Sequence, residues 1–248
     1  MKKIILSPLK IILTVCFFSA VSVAEMSPFI VNGRPVLQGE NYATHTVGLG
    51  DHELFCSGVI ISNHHVLTAA HCEEGLLNQK VYFGLGPKNF EFRTITSVTH
   101  HPDYCKKSDC GTENSKDDSD ILVVEFSGDL PFGFTPAEIA SKSDLISGVK
   151  IHLAGFGMNE FDKYEDTLNV TVVPFDHLNG DSEFRTIETD SGSCNGDSGG
   201  PAYVFLDQKL LLAGLTSRGD GPCRSFGIYT IVDYFSKWIL ETITKPSN

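Results

Sequence analysis

The chain has 248 residues, of which 41% are hydrophobic and 20% charged, with 23 glycines and 11 prolines. That composition excludes a disordered chain and allows one large all-β unit or two small domains with an adequate core. The net charge of −12 becomes −14 once the three lysines and one glutamate of residues 1–29 are set aside, which argues against nucleic acid and anionic membranes as partners.

The chain opens like a secretory signal. Lys2, Lys3 and Lys10 flank or precede an apolar run over residues 11–24, which ends in the small residues Ser22 and Ala24. This predicts a signal peptide at 1–24, cleavage after Ala24, and a secreted product, extracellular or periplasmic. The run is short for a membrane-spanning helix. Cys16 would offer a lipid-attachment site, but Val15 before it is bulkier than such sites allow.

Beyond residue 44 come short apolar runs bounded by Gly, Pro, Asn and Asp: "HTVGLG", "FCSGVIIS", "HHVLTAA", "KVYFGLG", "ILVVEF", "KIHLAGFG", "LNVTVVPF", "PAYVFL", "LLLAGLTS" and "FGIYTIV". Many short strands at this spacing predict barrels or a sandwich. Residues 131–144 lack strand alternation and read as a connection between two halves. Residues 105–120, "CKKSDCGTENSKDDSD", read as a polar surface loop. His100 and His101 stand near Cys105 and Cys110, but the spacing fits no common zinc pattern. The acidic run 113–120 lacks the glycine turn and terminal Glu of a calcium loop. No metal and no cofactor is expected. The terminal stretch "VDYFSKWILETITK" predicts a helix with Tyr234, Phe235, Trp238, Ile239 and Ile243 on one face and Asp233 capping its start.

Six cysteines remain after Cys16: Cys56, Cys72, Cys105, Cys110, Cys194 and Cys223. In an exported chain an even number favours three disulfides, and the residues alone leave all fifteen pairings open. Asn169-Val170-Thr171 is a glycosylation sequon.

The chemistry centres on "GDSGG", residues 196–200, where Ser198 sits in a Gly-x-Ser-x-Gly setting. In α/β-hydrolases the histidine follows the serine. Here none of the nine histidines lies beyond residue 177, so that fold fails on order. The base must lie upstream. His71, in "LTAAHC", ends an apolar run beside a cysteine, and Asp120, in "SDILVVEF", directly precedes an apolar strand where an acid can be partly buried. Asp117 and Asp118 are weaker candidates because neither directly precedes that strand.

The motifs "IVNG", "LTAAHC", "DILVVEF", "LAGFG", "CNGDSGGP" and "FGIYTIV" followed by a helix resemble, in order from Ile30 onward, the trypsin/chymotrypsin-like serine proteases. The resemblance implies an all-β fold of two six-stranded antiparallel barrels over residues 30–248, packed together with a C-terminal α-helix and with a boundary near 127–145. It implies Ser198 as nucleophile, His71 as general base and acid, and Asp120 as the group that orients His71. The N–H groups of Gly196 and Ser198 would form the oxyanion hole, and Ser217 would hydrogen-bond Asp120. It also selects disulfides: Cys56–Cys72, Cys194–Cys223, and by remainder Cys105–Cys110. Protein or peptide substrates and protein inhibitors are the implied partners of a monomer. The rate should fall as His71 protonates.

The resemblance further implies a five-residue propeptide, 25–29, cut at Phe29–Ile30, after which the new amino group of Ile30 pairs with Asp197. The residue six before the serine, Gly192, would sit at the base of the specificity pocket with Ser193 beside it and Gly219 and Gly227 on its walls. Three glycines imply an open, uncharged slot and cleavage after Phe, Tyr, Leu or Met, so that Phe29 would suit self-activation. An alternative is a Lys/Arg preference through Asp190 or Asp220. An acidic preference fits less well, because Thr216 stands where a histidine would be sought. Arg218 occupies a position that is usually tryptophan in the family, and would either meet an acidic substrate residue or point to solvent. A non-catalytic, protease-like binding protein is the rival from another functional class.

Overall fold

A computed structural model describes residues 30–51, 53–104, 119–158 and 166–245. The proposed signal peptide and propeptide, the Cys105–Cys110 bridge, and Asp117 and Asp118 lie outside the described residues. The strands are β1 (Arg34–Pro35), β2 (Thr46–Gly50), β3 (Leu54–Ile60), β4 (His65–Thr68), β5 (Lys80–Phe83), β6 (Glu91–His100), β7 (Leu122–Phe126), β8 (Glu138–Ile139), β9 (Lys150–Gly155), β10 (Asn169–Leu178), β11 (Glu183–Ile187), β12 (Pro201–Leu206), β13 (Lys209–Gly219) and β14 (Phe226–Ile231). Strands β2-β3-β4-β7-β6-β5 close into one antiparallel barrel. Strands β10-β11-β14-β13-β12-β9 close a second through the β10–β9 pairing, with the short β1 and β8 added at the margins.

The continuous apolar runs follow from this two-barrel packing. On β7, Leu122 and Val124 fill the first barrel, while Val123 and the preceding Ile121 turn to the seam between barrels. With one face on a core and the other on the second barrel, the polar half of strand alternation disappears. Phe156, Tyr203 and Leu215 meet that seam from the second barrel.

Two sequence-based expectations change at the C-terminus. Residues Asp233–Phe235 form a 3₁₀ turn and the α-helix covers only Ser236–Ile243. Phe235 and Ile239 are buried, but Tyr234 is exposed, because the tighter turn rotates it off the helical face. Asp233 does not cap the helix; its carboxylate accepts the Lys142 N–H at 2.8 Å, tying the helix start to the inter-barrel connection. His100 faces Glu73 at 3.0 Å, and His101 packs edge-on against Phe235 and Trp238, while Cys105 and Cys110 lie outside the described residues. Asn169 of the sequon is fully buried in β10.

Candidate active site

The antiparallel register of β4 and β7 pairs Thr68 with Leu122. His71, three residues past Thr68, and Asp120, two before Leu122, therefore emerge at the same barrel end. The Asp120 carboxylate is 1% exposed. Its Oδ1 accepts the His71 backbone N–H at 2.9 Å, and its Oδ2 lies 2.7 Å from His71 Nδ1. Oδ2 also accepts the Ser217 hydroxyl at 2.6 Å, and the Asp120 carbonyl accepts from Thr230 at 3.1 Å. Ser217 and Thr230 belong to the second barrel, so Asp120 is held from both sides of the seam. With Nδ1 donating to the carboxylate, the lone pair of a neutral His71 ring is on Nε2. A disulfide from Cys72 to Cys56 of β3 anchors the turn that carries His71.

The serine loop is pinned by β3. Ser57 donates its N–H to the Ser198 carbonyl at 2.9 Å and its hydroxyl to the Gly196 carbonyl at 3.0 Å. Cys72 Sγ lies 3.7 Å from the same Ser198 carbonyl, which brings the serine loop against the turn bearing His71. Gly196 has φ +93°, a conformation that a side chain would resist. The second disulfide, Cys194–Cys223, ties this loop to the segment after β13.

Behind the serine, Asp197 is buried. It accepts the N–H groups of Cys194 and Gly157, each at 2.9 Å. Burial, with the charge of Glu188 adding to it, raises its pKa to about 7. Ile30 is fully buried with φ +53°, and the next residue, Val31, bridges to Gly192, whose N–H it accepts at 3.2 Å.

Comparison with known sequences places this arrangement: residues 30–239 match the family described as Trypsin. The chain belongs to the trypsin family of serine proteases. It is 28% identical to vitamin K-dependent protein C of Rattus norvegicus, over 87% of this chain and 52% of that protein. Against complement C1s subcomponent of the same organism the identity is 30%, over 77% of this chain and 32% of that protein. The chain thus spans about half the length of the first relative and about a third of the second. It is a trypsin-family serine endopeptidase domain.

In this trypsin-family domain a cavity of about 180 Å³ opens beside Ser198, with Ser193, Ser217, Gly219, Asp220 and Phe226 among its lining residues. Behind Ser193, the space that Gly192 and Gly227 leave vacant is filled by the side chain of Glu188, which is not among the residues lining the cavity. A Cβ on either glycine would overlap a carboxylate oxygen of Glu188. Glu188 is 2% exposed. It accepts the Thr186 hydroxyl at 2.6 Å, the Tyr229 hydroxyl at 2.5 Å and the Ser193 N–H at 2.9 Å. Its burial raises its pKa, partly offset by these donors.

The carboxylates weighed from the sequence lie elsewhere. Asp190 is exposed, and Asp220 lines the cavity but is engaged with the N–H groups of Arg224, Ser225 and Phe226. Arg218 neither points to solvent nor awaits an acidic partner: it forks onto the buried Glu183, with N–O distances of 2.5 and 2.8 Å. Sequence reasoning missed both Glu188 and Glu183. The available signal was an acid inside or just after an apolar stretch, "EFRTIE", which reads more simply as an exposed strand edge.

Proposed function

We propose that this chain is a secreted, monomeric serine endopeptidase that hydrolyses proteins or peptides through an acyl-enzyme, made as a precursor and activated by cleavage at Phe29–Ile30. The observation that carries the reading is the buried Asp120, hydrogen-bonded at once to His71 and to Ser217 of the other barrel. Ser198 Oγ attacks the substrate carbonyl and gives its proton to His71 Nε2. The oxyanion of the tetrahedral intermediate is held by the N–H groups of Gly196 and Ser198. The imidazolium, stabilised by Asp120, protonates the leaving amine and an ester on Ser198 remains. Water, deprotonated by His71, then releases the acid and the proton returns to Ser198.

Activation has physical support in the strained Ile30. The torsion φ of residue 30 is defined by its bond to Phe29, so cutting that bond abolishes a left-handed conformation that is costly for a β-branched residue, by about 1–3 kcal/mol. The cut also converts an amide into an ammonium that can pair with the buried Asp197. Gly192 by itself favours a large apolar residue before the scissile bond, but the buried carboxylate filling its side-chain space weighs against that preference.

The test is active-site labelling after cleavage at Phe29–Ile30. A fluorophosphonate should phosphonylate Ser198 stoichiometrically, and His71→Ala should abolish the reaction. A protein that is folded, cleaved and inert to the reagent would be a binding module instead. Protein inhibitors acting as substrate mimics belong to the same reading.

A further inference from the structure

We infer that Arg218 and Glu183 are a positioning pair for the reaction at Ser198: the fork between them holds a guanidinium against the Ser217 hydroxyl, one side chain away from Asp120, and the net charge of the pair sets the pH at which His71 becomes a base. This rests on the peptidase reading above and adds two residues that act through Ser217 and Asp120.

A continuous line of contacts carries it. Glu183 opens β11, is 1% exposed and is paired with Thr230 of β14, whose hydroxyl donates to the Asp120 carbonyl at 3.1 Å. Arg218 lies near the end of β13. Its Nη1 is 2.5 Å from Glu183 Oε1 and its Nη2 2.8 Å from Oε2, and the Asn179 amide donates to the same Oε2 at 2.8 Å. Nη1 also donates to the Ser217 hydroxyl oxygen at 3.4 Å. That hydroxyl donates in turn to Asp120 Oδ2 at 2.6 Å, and Oδ2 lies 2.7 Å from His71 Nδ1. The register of β13 on β14 slips between Thr216 and Arg218, so Ser217 is the extra residue of a bulge. A bulge re-aims a side chain, and here it lets two consecutive residues meet on the way to Asp120. The tryptophan that the family resemblance implies at 218 would bring neither the fork nor the charge.

The electrostatic consequence has a definite sign. A cation near an imidazole disfavours its protonated form, and an anion favours it. In the intact pair the two charges offset each other. The side chains are 27% and 1% exposed, so salt screens them less than it screens a surface pair. The other charges of the site are Asp120, Glu73 with His100 beside it, Asp197 next to Ser198, and Asp220 in the cavity lining. Those remain the same when the pair is altered, so a change in the titration of His71 isolates Arg218 and Glu183.

The experiment uses the full chain, cut at Phe29–Ile30 by immobilised chymotrypsin. Stoichiometric fluorophosphonate labelling of Ser198 tests the peptidase reading, whose failure registers separately as absent labelling. The pH dependence of the labelling rate constant tests the inference, because the rate rises as His71 loses its proton. Its midpoint should fall by about 0.5–1 unit in Glu183→Gln, which leaves the cation unopposed, and rise by about as much in Arg218→Met, which leaves the anion unopposed. A role confined to holding the fold would loosen Ser217 in both variants and would not move the midpoint in opposite directions. A midpoint unmoved in either variant, or shifts of one sign in both, overturns the inference. Should Arg218→Met not fold, the paired variant Arg218→Met/Glu183→Leu takes its place. Without Arg218 the loss of Glu183 should no longer lower the midpoint, which should stay within about 0.3 unit of the unaltered enzyme; a fall as large as in Glu183→Gln overturns the inference.

Discussion

In the proposed activation, Asp197 links the cut at Phe29–Ile30 to stability through pH. In the precursor the Ile30 nitrogen is an amide, and the carboxylate is held by two backbone N–H groups with the charge of Glu188 nearby. Burial raises its pKa from 3.8 to about 7. The folded state then binds the proton more tightly than the unfolded state does, so the contribution is full below pH 3.8 and is lost as pH rises through about 7. Each unit corresponds to about 1.4 kcal/mol, so between pH 4 and 7 the precursor should lose up to about 4 kcal/mol from this group. The assay is urea unfolding of the Ser198→Ala precursor across that range, beside the same protein carrying Asp197→Asn, which cannot titrate. The difference between the two curves should shrink or reverse steadily from pH 4 to 7. On the proposed pairing, cleavage at Phe29–Ile30 supplies an ammonium that compensates the carboxylate, and the slope should disappear. Parallel curves for precursor and Asp197→Asn, or a slope that survives cleavage, would refute the reasoning.

Other expectations follow from the same contacts. Asp120→Asn should lower kcat by about 10⁴, the size carried over from the same change elsewhere in this family, with little effect on KM for an amide substrate. Arg218→Ala strands the buried Glu183 without its cation and should cost about 3–5 kcal/mol in chemical unfolding, whereas a paired Arg218→Met/Glu183→Leu variant should cost less. Asn169 is fully buried and its side-chain amide donates to the Thr167 carbonyl, so the chain produced in a eukaryotic secretory host should show no mass shift with an N-glycosidase.

The sequence shows most of the fold where strands are apolar on both faces or bounded by turn residues, as on β7 and β13. It misses β6 and β11. β6 is largely exposed and only Ile95 among its residues is fully buried, so its alternation is too faint to stand out. β11 carries Glu183 and Arg185 and reads as polar, yet Glu183 is 1% exposed because Arg218, 35 residues away, neutralises it. The three residues of the candidate site are legible because chemistry restricts them to Ser, His and Asp, and their order along the chain excludes the main rival fold.

The sequence by itself determined the family, the proposed nucleophile and its two partners, and the turn-rich all-β character. All of these depend on residue identity and local order. The tertiary structure decided what fills the space beside Gly192 and Gly227 and where the buried charges lie. The pairing of β11 with β14 sets Thr186 opposite Gly227, which brings Thr186, Glu188, Gly227 and Tyr229 together behind Ser193. Gly192 alone describes an empty slot, because a missing side chain says nothing about what enters its place. Only strand pairing across about forty residues puts an acid there, and a charge removed from water answers to the partners that packing supplies, not to its neighbours in the chain.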